Sequence, residues 1–207
     1  MTIPTTDLLR LTQWMSPAFP TSGYAYSHGF EAAHARGIAT ADDVRDWLRA
    51  VLQYGSGPLD CWAVRAVLAG ASPDAVAATL RARAGCAERW RETWDQGAAF
   101  AATTNALGLP HLRPAPLPVV LAVRARGILP TTVCALYLQA LAGQVVSAAL
   151  RLVPLGQTQG QGIIAALHSD IAEVAAAEWD EPPGLGAVLA ECDATAHEVQ
   201  QPRLFRT

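Results

Sequence analysis

The 207-residue chain contains no lysine; all 15 of its basic residues are arginine. That absence removes Schiff-base chemistry, a pyridoxal-phosphate anchor and the lysine that a Walker A loop sets on phosphates. Charge is scarce altogether, at 16% of residues with a net −3 at pH 7. No basic excess is available to drive nucleic-acid binding by counterion release. The cysteines are few, Cys61, Cys86, Cys134 and Cys192, and none is in a C-x-x-C spacing. Three sit in helix-like stretches, so they read as small buried hydrophobes rather than as a redox pair or a zinc site. No stretch alternates apolar and polar residues over strand lengths, which excludes a sheet-based fold. The opening MTIPTTDLLRL carries Asp7 and lacks a basic region followed by an apolar run. It therefore reads as having no secretory signal, and the expected compartment is the cytoplasm.

The longest uncharged run is 127–150, GILPTTVCALYLQALAGQVVSAAL. Its length could cross a bilayer, but Pro130, Thr131, Thr132, Gln139, Gln144 and Ser147 are costly in lipid. A central helix, apolar all round, explains it better. The hydrophobic fraction of 51% argues against disorder and leaves surplus apolar surface for a partner. A chain of this length should bury roughly 70% of its unfolded surface, enough for one domain over 1–207.

Helical spacing is clearest at 40–54, where Val44, Trp47, Leu48, Val51 and Leu52 recur on one face and Thr40 with Asp43 forms a capping pair. Ser72, Pro73 and Asp74 open a second helix that should stop near Gly85. Trp90 and Trp94, four apart, set the core-packing face of a third, where Ala98, Ala101 and Ala102 would admit a close neighbour. The proline-rich 112–118 is an irregular connection before a helix near 117–126. After 151–162, RLVPLGQTQGQG, come a helix through IIAALHSDIAEVAAAEW, a DEPPGLG break and a last helix through AVLAECDATAHEVQ. The expected fold is all-α, a single-domain helical bundle of about eight to ten helices with irregular loops.

Few segments carry the marks of chemistry. On a helix, neighbouring Ser27 and His28 would point about 100° apart, so they cannot form a nucleophile-base pair, and no G-x-S-x-G elbow exists for a hydrolase. The glycines of PLGQTQGQG lack the lysine and the preceding strand of a nucleotide loop, so its glutamines read as helix-end caps. Asp193 and His197, with Cys192 or Glu198 nearby, could start a metal site, but one i,i+4 pair is incomplete and more often a plain acid-histidine pair. No metal site is assigned. In HEVQQPRLFRT a proline ends the helix before Arg203, Leu204, Phe205 and Arg206, which compose either an interaction hot spot or a tail folded onto its own core.

Taken in order, SPAFPTSGYAYSHGFE (16–31), RLVPLGQTQGQ (151–161) and HEVQQPRLFRT (197–207) resemble the segments that mark the UreF family of urease accessory proteins. Pro20, Gly23, Tyr24, Ser27, Gly29 and Glu31 match in the first. Arg151, Pro154, Gly156, Gln157, Gly160 and Gln161 match in the second, and His197, Glu198, Gln200, Arg203, Leu204, Phe205 and Arg206 in the third. Two departures are Thr207, where a serine is more usual, and a loosely matching PVVLAVRARGILP.

The resemblance implies an all-α, often dimeric scaffold without catalysis or a stably bound cofactor. It implies binding to UreD, called UreH in some organisms, and through it recruitment of the GTPase UreG. The assembled complex handles nickel for apo-urease, whose metal-bridging lysine must be carbamylated. Partner contacts are then expected at Tyr24, Ser27, His28, Glu31, Arg203, Leu204, Phe205 and Arg206, led by Tyr24 and Arg203. Gly23 is expected to take a positive φ, Glu31 to pair with an arginine, and Gly156 and Gln157 to shape the fold. A rival reading is a nickel-binding metallochaperone that holds the ion through His28, Asp193, His197 or a cysteine.

Overall fold

Local chemistry at Thr40 fixes the start of one helix. Its Oγ1 accepts from the Asp43 N–H at 3.2 Å, while Asp43 Oδ2 accepts from the Thr40 N–H at 3.0 Å. The helix that follows, α3 (Ala41–Tyr54), buries Val44, Trp47, Leu48, Val51 and Leu52, the stripe its spacing predicts. Arg45 and Arg49 form ion pairs with Asp42 and Asp46 on its outer face.

The computed structural model describes residues 3–207. Those residues form eleven α-helices and one 3-10 helix, with no strand. Before α3 come α1 (Thr5–Trp14), the 3-10 helix (Gly23–Ala25) and α2 (Phe30–Arg36). After it come α4 (Ser56–Leu68), α5 (Pro73–Arg83), α6 (Ala87–Ala106), α7 (Leu117–Arg124) and α8 (Pro130–Leu152). The chain closes with α9 (Gln157–Ala166), α10 (His168–Ala176) and α11 (Val188–His197). The all-α expectation holds, with more helices than expected.

Two differences account for the excess. The helix α1 has no strong apolar stripe in sequence and buries only Leu11 and Trp14. The single helix expected after 162 begins earlier, at Gln157, and breaks at Leu167, which is fully buried with ψ near 0°. The glutamine reading fares better: Gln159 Oε1 accepts from the Gly156 N–H at 2.9 Å and closes the start of α9.

The uncharged run forms α8, whose Val133, Tyr137, Leu138, Leu141, Val145 and Val146 enter the core. It packs against α2, α3, α4, α9 and α10. By length and composition it could cross a membrane, but more than half of its apolar window lies inside this chain. One side, including Leu136, Gln139, Ala140, Gly143 and Ser147, lines a groove of about 670 Å³ beside α1 and α9.

The expected core face of α6 holds only in part: Ala101 is buried and Trp90 packs against the core, but Trp94 does not. Its buried side carries Glu88, Glu92, Thr93, Gln96, Gly97 and Phe100, whereas Trp94 is exposed and stacks on half-buried Trp90. The close approach occurs at Gly97, where a Cβ would overlap the backbone of Ala115 to Leu117. Cys61 and Cys134 are buried as expected, Cys86 caps α6 by accepting from the Arg89 N–H, and Cys192 is exposed.

Candidate functional site

The buried carboxylates of α6 need donors, and the segment before α2 and the C-terminal tail supply them. That segment turns through two left-handed residues, His28 (φ 61°) and Gly29 (φ 82°). Glycine is required at the second, because a Cβ there would collide with the Ala194 backbone of α11. The expectation of a positive φ at Gly23 fails: Ser22 takes that conformation (φ 59°), and Gly23 instead leaves room for the Gln144 side chain.

Glu31 occupies the middle of the site. Its Oε1 accepts from the Leu204 N–H at 2.7 Å and its Oε2 from the Phe205 N–H at 3.0 Å. The His197 ring lies between two carboxylates, with Nε2 3.1 Å from Glu31 and Nδ1 2.7 Å from Glu88. The other Glu88 oxygen accepts from Arg203 at 2.6 Å. Glu31 therefore pairs with a histidine and two backbone amides, and Glu88 takes the arginine expected at Glu31. Burial pushes the Glu31 carboxyl up, but the Leu204 N–H, the His197 ring and the Phe205 N–H outweigh it and hold it below its ordinary value.

A second centre adjoins the first. The Ser27 N–H and hydroxyl both donate to the Thr207 main-chain oxygen, and the Thr207 hydroxyl donates to Glu92 at 3.0 Å. Glu92 also accepts from Gln144 at 2.8 Å and lies 3.4 Å from His28, whose other ring nitrogen meets Ser56 at 2.9 Å. Burial works against the Glu92 anion, but His28, Arg89 and Gln144 bring its pKa down to about 2. Beyond it, burial pushes Asp60 up against the opposing pull of Arg89 and Tyr137, which donate to it at 2.9 and 2.7 Å.

These contacts revise the expected partner set. Ser27, His28, Glu31 and Phe205 are buried and committed within the chain. Their donors and acceptors hold the tail down, because an unpaired carboxylate or hydroxyl would be costly at such depth. Ser27 and His28 precede α2 and are not helical, and Ser27 has no base beside it. Outside this polar layer, Tyr24 is 68% and Leu204 75% exposed, and Arg203 and Arg206 also reach the surface. Arg151 ties the layers together by donating to the Tyr24 carbonyl at 2.9 Å with its guanidinium over the Phe205 ring.

The remaining motif residues act locally. Pro20 and Pro154 are exposed in their connections, and Gly160 lets α9 approach Val146 and Leu150 of α8. Gln157 and Gln161 line the groove, Glu198 accepts from the Glu88 N–H, and the Gln200 N–H closes the end of α11 on the His197 carbonyl.

The chain as a whole also has relatives among known proteins. The family model described as UreF matches residues 38–168. The urease accessory protein UreF of Dinoroseobacter shibae is 50% identical over 205 residues, covering 96% of this chain and 98% of that protein. Its counterpart in Cereibacter sphaeroides strain KD131 is 47% identical over 206 residues, covering 97% and 98%. The chain belongs to the UreF family. The UreF relatives align over nearly the whole of this chain, well beyond the residues that the family model matches.

The candidate metal pair does not assemble. Asp193 accepts a bidentate pair from Arg36 at 2.7 and 2.8 Å and a third bond from the Trp47 ring N–H. His197 is occupied by Glu31 and Glu88, so the two residues do not pair with each other either. Among the described residues no group of three or more His, Cys, Asp or Glu side chains could hold a metal ion.

Proposed function

We propose that this chain is a non-enzymatic scaffold of urease maturation in the cytoplasm, which binds UreD (UreH) and through it recruits the GTPase UreG. One observation carries the reading. Segments separated by more than 100 residues converge on the tail and leave Tyr24, Arg203, Leu204 and Arg206 at the surface, with the Tyr24 carbonyl, the Arg203 side chain and the Leu204 N–H hydrogen-bonded within the chain. A ring and guanidinium groups on a preorganised support are the residue types that dominate protein interfaces. Nickel is then the cargo of the assembled complex, passed to apo-urease, and the scaffold's task is geometric. Self-association belongs to the same reading, since Leu136, Ala140 and Gly143 of α8 leave small and apolar surface open along the groove.

Size-exclusion chromatography with light scattering tests this on the full chain, alone and mixed with its cognate UreD with and without UreG. The expected result is a dimer alone, a stable complex with UreD that takes up UreG, and weaker assembly with Arg203→Ala. Clean separation from both partners would overturn the reading.

A further inference from the structure

The outer face of α5 and α6 carries a second feature, apart from the tail surface. Arg81, in the last turn of α5, places its guanidinium 5.8 Å from the Trp90 ring centre. Trp90 in turn lies 5.5 Å from Trp94, with the ring planes inclined by 38°. Arg91 stands three residues before Trp94, the spacing that makes two positions neighbours on a helix surface. The result is a strip of cation, ring, ring and cation, with both arginines exposed and Trp94 37% exposed.

The strip carries cations without a counter-charge from the chain. Eight of the 15 arginines have a carboxylate within 4.0 Å. Arg81 and Arg91 are two of the seven that have none among the described residues, although Asp and Glu outnumber Arg by 18 to 15. The acids of the two helices are committed elsewhere: Asp74 of α5 to Arg113, and in α6 Glu88 to His197 and Arg203, Glu92 to the buried centre and Asp95 to the Tyr26 hydroxyl. The positive charge beside the tryptophans is thus left for something outside the chain. Stacking holds the rings and one guanidinium in place, so little side-chain freedom is lost on contact.

We propose that this strip docks an acidic segment of a partner protein, in which a proline or aliphatic residue covers the tryptophans and flanking carboxylates meet Arg81 and Arg91. A net charge of −3 gives the molecule no basic field for a nucleic acid, which favours a peptide. The proposal is independent of the tail surface and of the partners assigned to it.

The test is fluorescence anisotropy on the full chain with three labelled probes: an octapeptide alternating glutamate and proline, its glutamine counterpart, and octauridylate. The glutamate peptide is expected to bind and to weaken as salt is raised. The double variant Arg81→Glu/Arg91→Glu should lower its affinity by at least about tenfold. Trp94→Ala should lower it too, with circular dichroism unchanged because that ring lies at the surface. Arg203→Ala should leave it intact, which separates this surface from the tail. No binding of the glutamate peptide, equal binding of the glutamine peptide, indifference to the double variant, or tighter binding of octauridylate would each overturn the proposal.

Discussion

At Glu31 one carboxylate serves two backbone amides and a histidine, so the tail depends on its charge. Its pKa lies below the ordinary 4.5, and that of Glu92 falls to about 2. Depressed carboxyl values contribute stability that is fully present above the unfolded value and is lost as pH falls through the folded one. Tail docking should therefore stay constant through neutral pH and loosen as pH drops below 4.5 toward 2. Fluorine NMR of labelled Phe205, assigned by Phe205→Leu, would follow the loss directly. Glu31→Gln should cost about 1.5–3 kcal/mol in urea denaturation at pH 7, a charged hydrogen-bond acceptor having been replaced by a neutral one. Matching motifs mark Glu31, Ser27 and Phe205 in the sequence, but nothing there shows that they face inward. The amides that satisfy Glu31 lie 173 and 174 residues away, beyond the reach of any local pattern.

Helix starts were legible where a side chain or a proline acts within one turn. Thr40 with Asp43 and the proline at the first position of α5 are such cases, although Ser72 makes no side-chain capping bond. The α6 face misleads because Trp94 lies outside and Trp90 only half inside, while the inner Glu88 and Glu92 are satisfied in part by the tail. Periodicity assumes that buried means apolar, and here buried means paired. The same helix gives a sharp test at Gly97. Alanine gains up to about 1 kcal/mol in helix propensity, but overpacking against the backbone of Ala115 to Leu117 should cost about 1–3 kcal/mol or more. Gly97→Ala is thus expected to be destabilising in chemical denaturation. Gly162→Ala, on exposed α9 surface with nothing within 4 Å of the added Cβ, should raise stability by up to about 1 kcal/mol.

Across the whole molecule the tail closes the buried polar centre rather than decorating it. Deleting residues 204–207 would expose the Phe205 site, worth about 1.5–3 kcal/mol of burial, and strip donors from Glu31 and Glu92 at about 1–3 kcal/mol each. A fall in Tm on the order of 10 °C is expected by calorimetry. The order of assembly follows from the same separation. Ser27 and Glu31 are made early, while the atoms that complete them leave the ribosome about 170 to 180 residues later. At ~5–20 residues per second that interval is about 10–35 s. During it Tyr24 is present but Arg203 and Leu204 are not, so on the proposed scaffold reading a nascent chain would offer a partner only part of that surface. On that reading engagement would wait until translation has passed Arg203 and Leu204, which makes the surface a late product of synthesis although half of its support is made early.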